Sequence, residues 1–166
     1  MKIYKYRKYK SKFPKLFQKE KSYLLKILPE NTKIEHIGST SIPGLGGKGI
    51  IDLIIGVKKN ELTDCARLLI KNMYYFKDEN SKKDRLFFMR EYGHFKKRRV
   101  HIHLTSYNSR IWKQALKFKN HLIKNKKTRE EYIKIKKQAC KLCKENSKIY
   151  RAHKNKFIKD VLNKNK

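Results

Sequence analysis

The feature that most constrains the fold is an almost unbroken apolar run, rich in β-branched residues, over Ile50–Val57. Such a run predicts a central β-strand covered on both faces, because a half-exposed strand would alternate apolar with polar residues. Asp52 alone places a charge in it. Because an unpaired buried charge is costly, this carboxylate must be paired or hydrogen-bonded, and it is a candidate functional residue.

The rest of the chain alternates helical and extended patterns around this run. Apolar spacing predicts helices over 13–28, 61–73, 109–125, 129–145 and 148–162, and strands over 33–37, 85–90 and 100–105. The order predicts an α/β (α+β) fold, with a small mixed sheet flanked by helices and a helical C-terminal third. With 166 residues and no shift in composition, we expect one domain spanning residues 1–166.

The chain carries 45 Lys+Arg against 14 Asp+Glu, a formal net charge of +31. This charge attracts polyanions, so the expected partners are a nucleotide or phosphorylated small molecule, and RNA. Lysines occur in every segment, however, and a compositional bias that produces only a solvated cationic surface would explain the same charge. No stretch approaches the length of a membrane span, so we expect no membrane partner.

The start of the chain and the cysteines indicate the cytoplasm. The first residues lack the apolar segment of a secretory signal. Cys65, Cys140 and Cys143 are an odd number, which does not suit a disulfide framework. The CxxC pair formed by Cys140 and Cys143 has no second metal half-site, so helix packing is the favoured interpretation over zinc or redox chemistry.

A glycine-rich loop over 43–49 precedes the central strand. Gly44, Gly46 and Gly49 have the spacing of the dinucleotide-binding GxGxxG motif, but that motif needs a following helix to seat a pyrophosphate, and here a strand follows. A Walker A loop needs a glycine where this chain has Ile42. The loop is therefore neither of these two nucleotide-binding motifs.

The segment around this loop closely resembles the GrpB family. The resemblance rests on the run His36-Ile37-Gly38-Ser39-Thr40-Ser41-Ile42-Pro43-Gly44-Leu45, followed by Lys48 and Ile50-Ile51-Asp52. Further matching positions cover nearly the whole chain: Phe13-Pro14, His101 to His103, Phe118 to Leu122, Glu131-Tyr132, Lys136, Tyr150, Lys154 and Phe157-Ile158. The family is grouped with the nucleotidyltransferase superfamily of DNA polymerase β type, so the resemblance implies that fold.

The resemblance also implies a phosphate loop beside a metal-binding carboxylate. In nucleotidyl transfer, backbone N–H groups and a hydroxyl hold the phosphates while carboxylates hold divalent metal ions. On this pattern Gly38, Ser39, Thr40 and Lys48 bind phosphate, and Asp52 with Ser39 are the catalytic candidates. Ser39 and Thr40 also suit a helix cap, which is compatible with phosphate binding.

The chain departs from the superfamily at the second strand carboxylate. Active members usually carry Asp-x-Asp, which directs two carboxylates to one face, whereas here the second position is Ile54. The alternating strand 100–105 directs His101 and His103 to one face. Asp52 with these histidines is expected to bind one divalent metal, zinc or manganese more readily than a magnesium pair, because imidazole prefers those ions.

Two functions stay open. In the first, the chain binds a nucleotide or phosphorylated ligand and, if catalytic, moves a nucleotidyl group, with Glu35 or Glu91 as a candidate for the missing carboxylate. In the second, the chain keeps the fold without catalysis and binds RNA through its basic helices or assists another enzyme. His36, at the end of a strand, is expected to hydrogen-bond locally.

Overall fold

The structure is a computed structural model that describes residues 5–93, 98–144 and 146–164, without the side chains of Arg98 and Ser147. The helices in this part of the chain are α1 (Phe13–Ile27), α2 (Leu62–Lys71), α3 (Arg110–Lys124), α4 (Lys126–Leu142) and α5 (Ser147–Lys164). The strands are β1 (Lys33–Ile37), β2 (Ile51–Val57), β3 (Tyr75–Phe76), β4 (Leu86–Tyr92) and β5 (Arg98–Ser106). Among the described residues, no helix has the length and apolarity that crossing a membrane requires.

The strands form one mixed sheet in the order β1-β2-β5-β4-β3. β2 and β5 are parallel at its centre, and the other neighbours pair antiparallel. The predicted small mixed sheet and helical C-terminal third are therefore confirmed. β3 was not predicted, because a strand of two residues is too short to show a period.

The predicted start of the fourth helix is wrong. Thr128 and Glu131 have the spacing of a capping box, which predicts a helix that begins at residue 129. Instead α4 begins at Lys126, one residue after Asn125, which also ends α3. The two helices thus join at a single residue, and the apparent capping box lies within the first turns of α4.

β2 is covered on both faces, as its composition predicts. Ile51, Leu53 and Ile55 belong to the core that also contains α1 and α2 side chains. On the opposite face Ile54 is fully buried, and a Cβ at Gly56 would lie only 2.9 Å from the Trp112 ring of α3. Helices on both faces thus enclose this strand. Asp52 is the β2 residue that retains partial exposure.

His36 makes the local hydrogen bond expected of a strand-end histidine. Its Nε2 lies 3.0 Å from Thr40 Oγ1, and that hydroxyl donates to the Ile50 carbonyl at 2.9 Å. The imidazole also stacks on the Phe17 ring, with centroids 4.5 Å apart. Burial is the main cause that lowers the pKa of His36 to about 4, so this histidine is neutral at pH 7.

Because His36 is neutral in the folded protein, we predict that acid lowers the free energy of unfolding. An unfolded histidine has a pKa of about 6.5, so between pH 6.5 and the folded value the unfolded state binds more protons. Stability is therefore lost as the pH falls through that window, by up to ~1.4 kcal/mol per pH unit for this group. We expect His36→Gln, measured by urea unfolding at pH 7 and pH 4.5, to lose less stability on acidification than wild type. Equal losses in the two proteins would contradict this assignment.

Candidate functional site

The turn after β1 brings the backbone against the carboxylate of β2. Gly38 has φ +70°, and a Cβ there would overlap Asp52 Oδ2. Glycine is required here for both reasons, since it accepts positive φ and leaves room for the close approach. A short 3-10 turn, Ser39–Ser41, follows it. The structure therefore places Gly38 against Asp52, and Ser39 follows it at the start of the 3-10 turn. The catalytic and phosphate-binding roles expected for these residues stay predictions.

The Thr40 hydroxyl is already engaged inside the protein. Its side chain is buried, with 1% exposure, and its hydroxyl links His36 to the Ile50 carbonyl. Thr40 therefore holds the turn against the start of the central strand. A direct phosphate contact by its hydroxyl would require this link to break, so the phosphate role expected for Thr40 stays a prediction.

Asp52 and His101 form a hydrogen-bonded pair across the two central strands. The two residues are register partners in β2 and β5, and His101 Nδ1 lies 3.1 Å from Asp52 Oδ1. Burial alone would raise the pKa of Asp52, but the hydrogen bond from His101 and the charge of Lys48 lower it below its ordinary value. Asp52 is thus ionised.

His103 lies two residues further along the same face of β5, opposite Ile54 and Phe87. Its ring packs against Phe87 with centroids 5.2 Å apart. Burial and then the charge of Arg85 lower the pKa of His103 to about 3, so this imidazole is neutral.

The predicted metal site is not assembled by these side chains. Among the described residues, no three His, Cys, Asp or Glu side chains are grouped so that they could hold a metal ion. Asp52, His101 and His103 share one sheet face as predicted, yet Asp52 and His101 bind each other. Their role as metal ligands stays a prediction. The donor set as arranged does not fit a divalent ion.

The two candidate replacement carboxylates each have a cationic partner. Glu35 pairs with Ile54 across β1 and β2, and its Oε2 lies 3.5 Å from Lys119 Nζ. Glu91 Oε1 lies 2.6 Å from Arg99 Nε. Neither is grouped with Asp52 as a metal ligand set in the described part of the chain.

Lys48 lies on the glycine loop and points toward α5. The loop is anchored to the N-terminal segment, where Arg7 and Gly47 exchange two backbone hydrogen bonds and Arg7 Nη1 donates to the Lys48 carbonyl at 2.8 Å. Lys48 Nζ lies 5.0 Å from the centre of the Tyr150 ring, and Lys154 Nζ lies 4.6 Å from it. Two ammonium groups from different parts of the chain therefore contact the same ring.

A third lysine, Lys136 of α4, completes this group. It is 3% exposed, and its Nζ donates to the Gly46 carbonyl at 2.5 Å. A Cβ at Gly47 would lie 2.6 Å from this Nζ and 2.5 Å from Ser39 Oγ, so the ammonium and the hydroxyl lie on the same side of Gly47. We call Lys48, Lys136 and Lys154 the lysine cluster.

The lysines act on one another electrostatically. Burial, followed by the charge of a neighbouring lysine, lowers the pKa of Lys136 to about 7 and that of Lys154 to about 8. Burial also lowers the pKa of Lys48. The Asp52 carboxylate opposes the shift in all three. One carboxylate thus lies within electrostatic reach of three ammonium groups.

Two arginines extend the positive region. Arg151 donates from Nη1 to Asn80 Oδ1, and Arg85 donates from Nη2 to the Asn80 carbonyl at 2.7 Å. The charge of Arg151 acts on Lys48 and Lys154. Arg85 Nε is buried without a hydrogen-bond partner among the described residues.

The sequence did not assign Lys136 and Lys154 to the site. Both occupy positions that carry the family resemblance, which was the available signal, but they lie on helices far along the chain from Ser39 and Asp52. Both reach the site because α4 and α5 pack on each other and against the loop residues Ile42 and Leu45.

Relatives match most of this chain. UPF0157 protein YqkA of Bacillus subtilis (strain 168) is 33% identical over 132 residues, covering 78% of this chain and 38% of YqkA. This chain therefore spans well under half of YqkA. Glutamate-rich protein GrpB of Alkalihalophilus pseudofirmus is 27% identical over 171 residues, covering 90% of this chain and 88% of the relative.

The fold has a counterpart among solved structures. The crystal structure of conserved protein GrpB from Enterococcus faecalis superposes with a TM-score of 0.79 at 28% identity, covering 97% of this chain and 99% of that one. A weaker likeness, with a TM-score of 0.49 at 13% identity, is to the Cid1 poly (U) polymerase. The family model described as GrpB protein matches residues 5–164. Because this match takes in almost the entire sequence, the chain belongs to the GrpB family.

Proposed function

We propose that the protein binds a nucleotide or another phosphorylated ligand beside the turn Gly38-Ser39, at the face formed by Asp52 and the lysine cluster. The observation that carries the proposal is the approach of Lys136 Nζ and Ser39 Oγ to the same side of Gly47. A hydroxyl and an ammonium group presented together are suited to the oxygens of a phosphate. Membership of the GrpB family supports it, through the resemblance of that family to nucleotidyltransferases.

Nucleotidyl transfer would need more than this binding. The superfamily pattern uses metal ions held by carboxylates, and the side chains that the structure describes do not form such a ligand set. The residues that face the site bind and orient phosphate: Ser39 donates a hydroxyl, and the lysine cluster supplies charge. The three cysteines are free thiols, which supports placing this binding activity in the reducing cytoplasm.

Ligand binding is expected to raise the unfolding temperature. A ligand at 100 times its dissociation constant adds about 2.7 kcal/mol of stability, and each kcal/mol is worth roughly 2–4 °C in a domain of this size. We expect at least one member of a panel of nucleoside mono-, di- and triphosphates to produce such a shift in wild type. In Ser39→Ala the shift is expected to fall by more than half.

The matched control for that experiment is Ser106→Ala. Ser106 is a partly buried hydroxyl at the end of β5, away from the glycine turn. Its ligand-induced shift should equal that of wild type. If no nucleotide in the panel shifts the unfolding temperature, the proposed function is overturned. If the shift in Ser39→Ala equals that of wild type, the Ser39 hydroxyl does not contribute to ligand binding.

RNA binding through the helical C-terminal third is a second candidate function. Exposed lysines follow one another along α3, α4 and α5: Lys113, Lys117, Lys124, Lys126, Lys127, Lys134, Lys137, Lys141, Lys148, Lys156, Lys159 and Lys164. Such a surface attracts a polyanion without requiring the site beside Asp52.

This second function has its own expected result. Affinity for a 20-nucleotide single-stranded RNA should fall steeply with salt, with each phosphate neutralised adding about 0.7 to the slope of log K against log salt concentration. Lys134→Met/Lys137→Met should reduce that slope, while Asp52→Ala should leave RNA affinity unchanged. Fluorescence anisotropy at four salt concentrations measures both. RNA affinity that is flat with salt would contradict electrostatic binding.

A further inference from the structure

The lysine cluster places three side chains that can carry a positive charge around the Tyr150 ring and the glycine loop, and Asp52 is the described carboxylate whose charge acts on all three. Three ammonium groups lie within electrostatic reach of Asp52, and Asp52 already accepts a hydrogen bond from His101. Burying a charge is expensive unless an opposite charge accompanies it. The arrangement is therefore favourable when an anion with more than one negative charge lies among the lysines.

The three lysines reach this place from separate elements. Lys48 comes from the glycine loop, Lys136 from α4 and Lys154 from α5. Tyr150 holds the ammonium groups of Lys48 and Lys154 on its ring, while the Gly46 carbonyl holds that of Lys136. Ammonium groups that are fixed by packed aromatic and backbone partners pay less ordering entropy when an anion binds.

The same charges are unsuited to a divalent cation. An ion beside Asp52 would be repelled by the lysine ammonium groups, and repulsion between like charges is strong in a partly buried site. Asp52 would be its hard oxygen ligand, whereas ammonium groups offer no lone pair for coordination. The protein thus supplies, from its own side chains, the charge that a metal ion commonly supplies to a bound phosphate chain.

We infer that this site takes the metal-free form of a ligand with two or more linked phosphates, and that Lys48, Lys136 and Lys154 neutralise the phosphate charge in place of a divalent ion. The inference rests on the proposed function, which requires only that some phosphorylated ligand binds. It names the ligand class, a polyphosphate chain, and the protein groups that recognise it. The negative charge of Asp52 then repels the phosphates, whereas in a metal site it would hold them through the metal ion.

The test is isothermal titration calorimetry of the full chain with three probes: ATP, inorganic tripolyphosphate and adenosine. Each is titrated in EDTA and in 5 mM Mg²⁺ at matched ionic strength. We expect ATP and tripolyphosphate to bind in EDTA, and Mg²⁺ to weaken both by about tenfold or more, because the metal cancels charge that the lysines recognise. Adenosine is expected to bind at least about a hundredfold more weakly than ATP.

Variants separate the lysines from the general positive charge. Lys136→Met and Lys154→Met should each weaken tripolyphosphate binding in EDTA by about tenfold or more. The controls Lys26→Met and Lys71→Met remove exposed lysines from α1 and α2 and should change the affinity by less than about twofold. Asp52→Asn should tighten binding by about threefold, because it removes a like charge from the ligand's surroundings.

The outcomes distinguish this inference from the proposed function. Binding of ATP only with Mg²⁺, or its loss in Asp52→Asn, would overturn metal-free recognition and leave the proposed function standing. Tight binding of adenosine would overturn the assignment to phosphate. Equal effects of the cluster variants and their controls would assign the affinity to the surface charge and overturn the role of the lysine cluster. No binding of any probe would overturn the inference, and the nucleotide panel then decides the proposed function separately.

Circular dichroism confirms that each variant is folded, and Lys48→Met serves if one of the helix variants is not.

Discussion

The site depends on one constraint. Asp52 is a charged residue in a central strand whose other residues are apolar and buried. β2 lies at the centre of the sheet, with helices on both faces, and its residues other than Asp52 are buried. The carboxylate is held in this setting by the hydrogen bond from His101 on the neighbouring parallel strand. Gly38 completes the arrangement, because only a residue without Cβ lets the preceding turn approach the carboxylate. Asp52 thus contacts both the neighbouring strand, through His101, and the glycine turn, through Gly38.

The helical C-terminal third surrounds the Asp52 carboxylate with positively charged lysines. α4 and α5 pack on each other and supply Lys136, Lys154 and Tyr150. The ammonium groups repel one another and lose hydration, and both effects lower their pKa values. The anionic ligand that we propose would offset the electrostatic cost of enclosing these ammonium groups. For the proposed anion binding, the lysines that matter most are therefore the three of the lysine cluster, and not the many lysines on the surface.

Much of the fold could be predicted from the sequence. The apolar run Ile50–Val57 predicts the enclosed strand, and the alternation over 100–105 predicts which side chains of β5 enter the core. The turn at Gly38 was also expected, and Gly38 lies against Asp52, while the phosphate-binding roles of Gly38 and Ser39 stay predictions. Where prediction failed, the signal was too short or misleading: β3 has two residues, and the residues that resemble a capping box lie inside α4.

The sequence by itself determined the central strand, the glycine turn and the face that His101 and His103 share, because each follows from local periodicity and backbone sterics. Tertiary structure alone decided what surrounds Asp52. Whether its neighbours are further metal ligands or ammonium groups depends on how the distant helices α4 and α5 pack against the glycine loop, and helical periodicity does not encode that packing. Lys136 donates to Gly46, 90 residues earlier in the chain. Packing between such distant segments set the chemistry of the site, because the charge around a buried group is a property of the assembled fold.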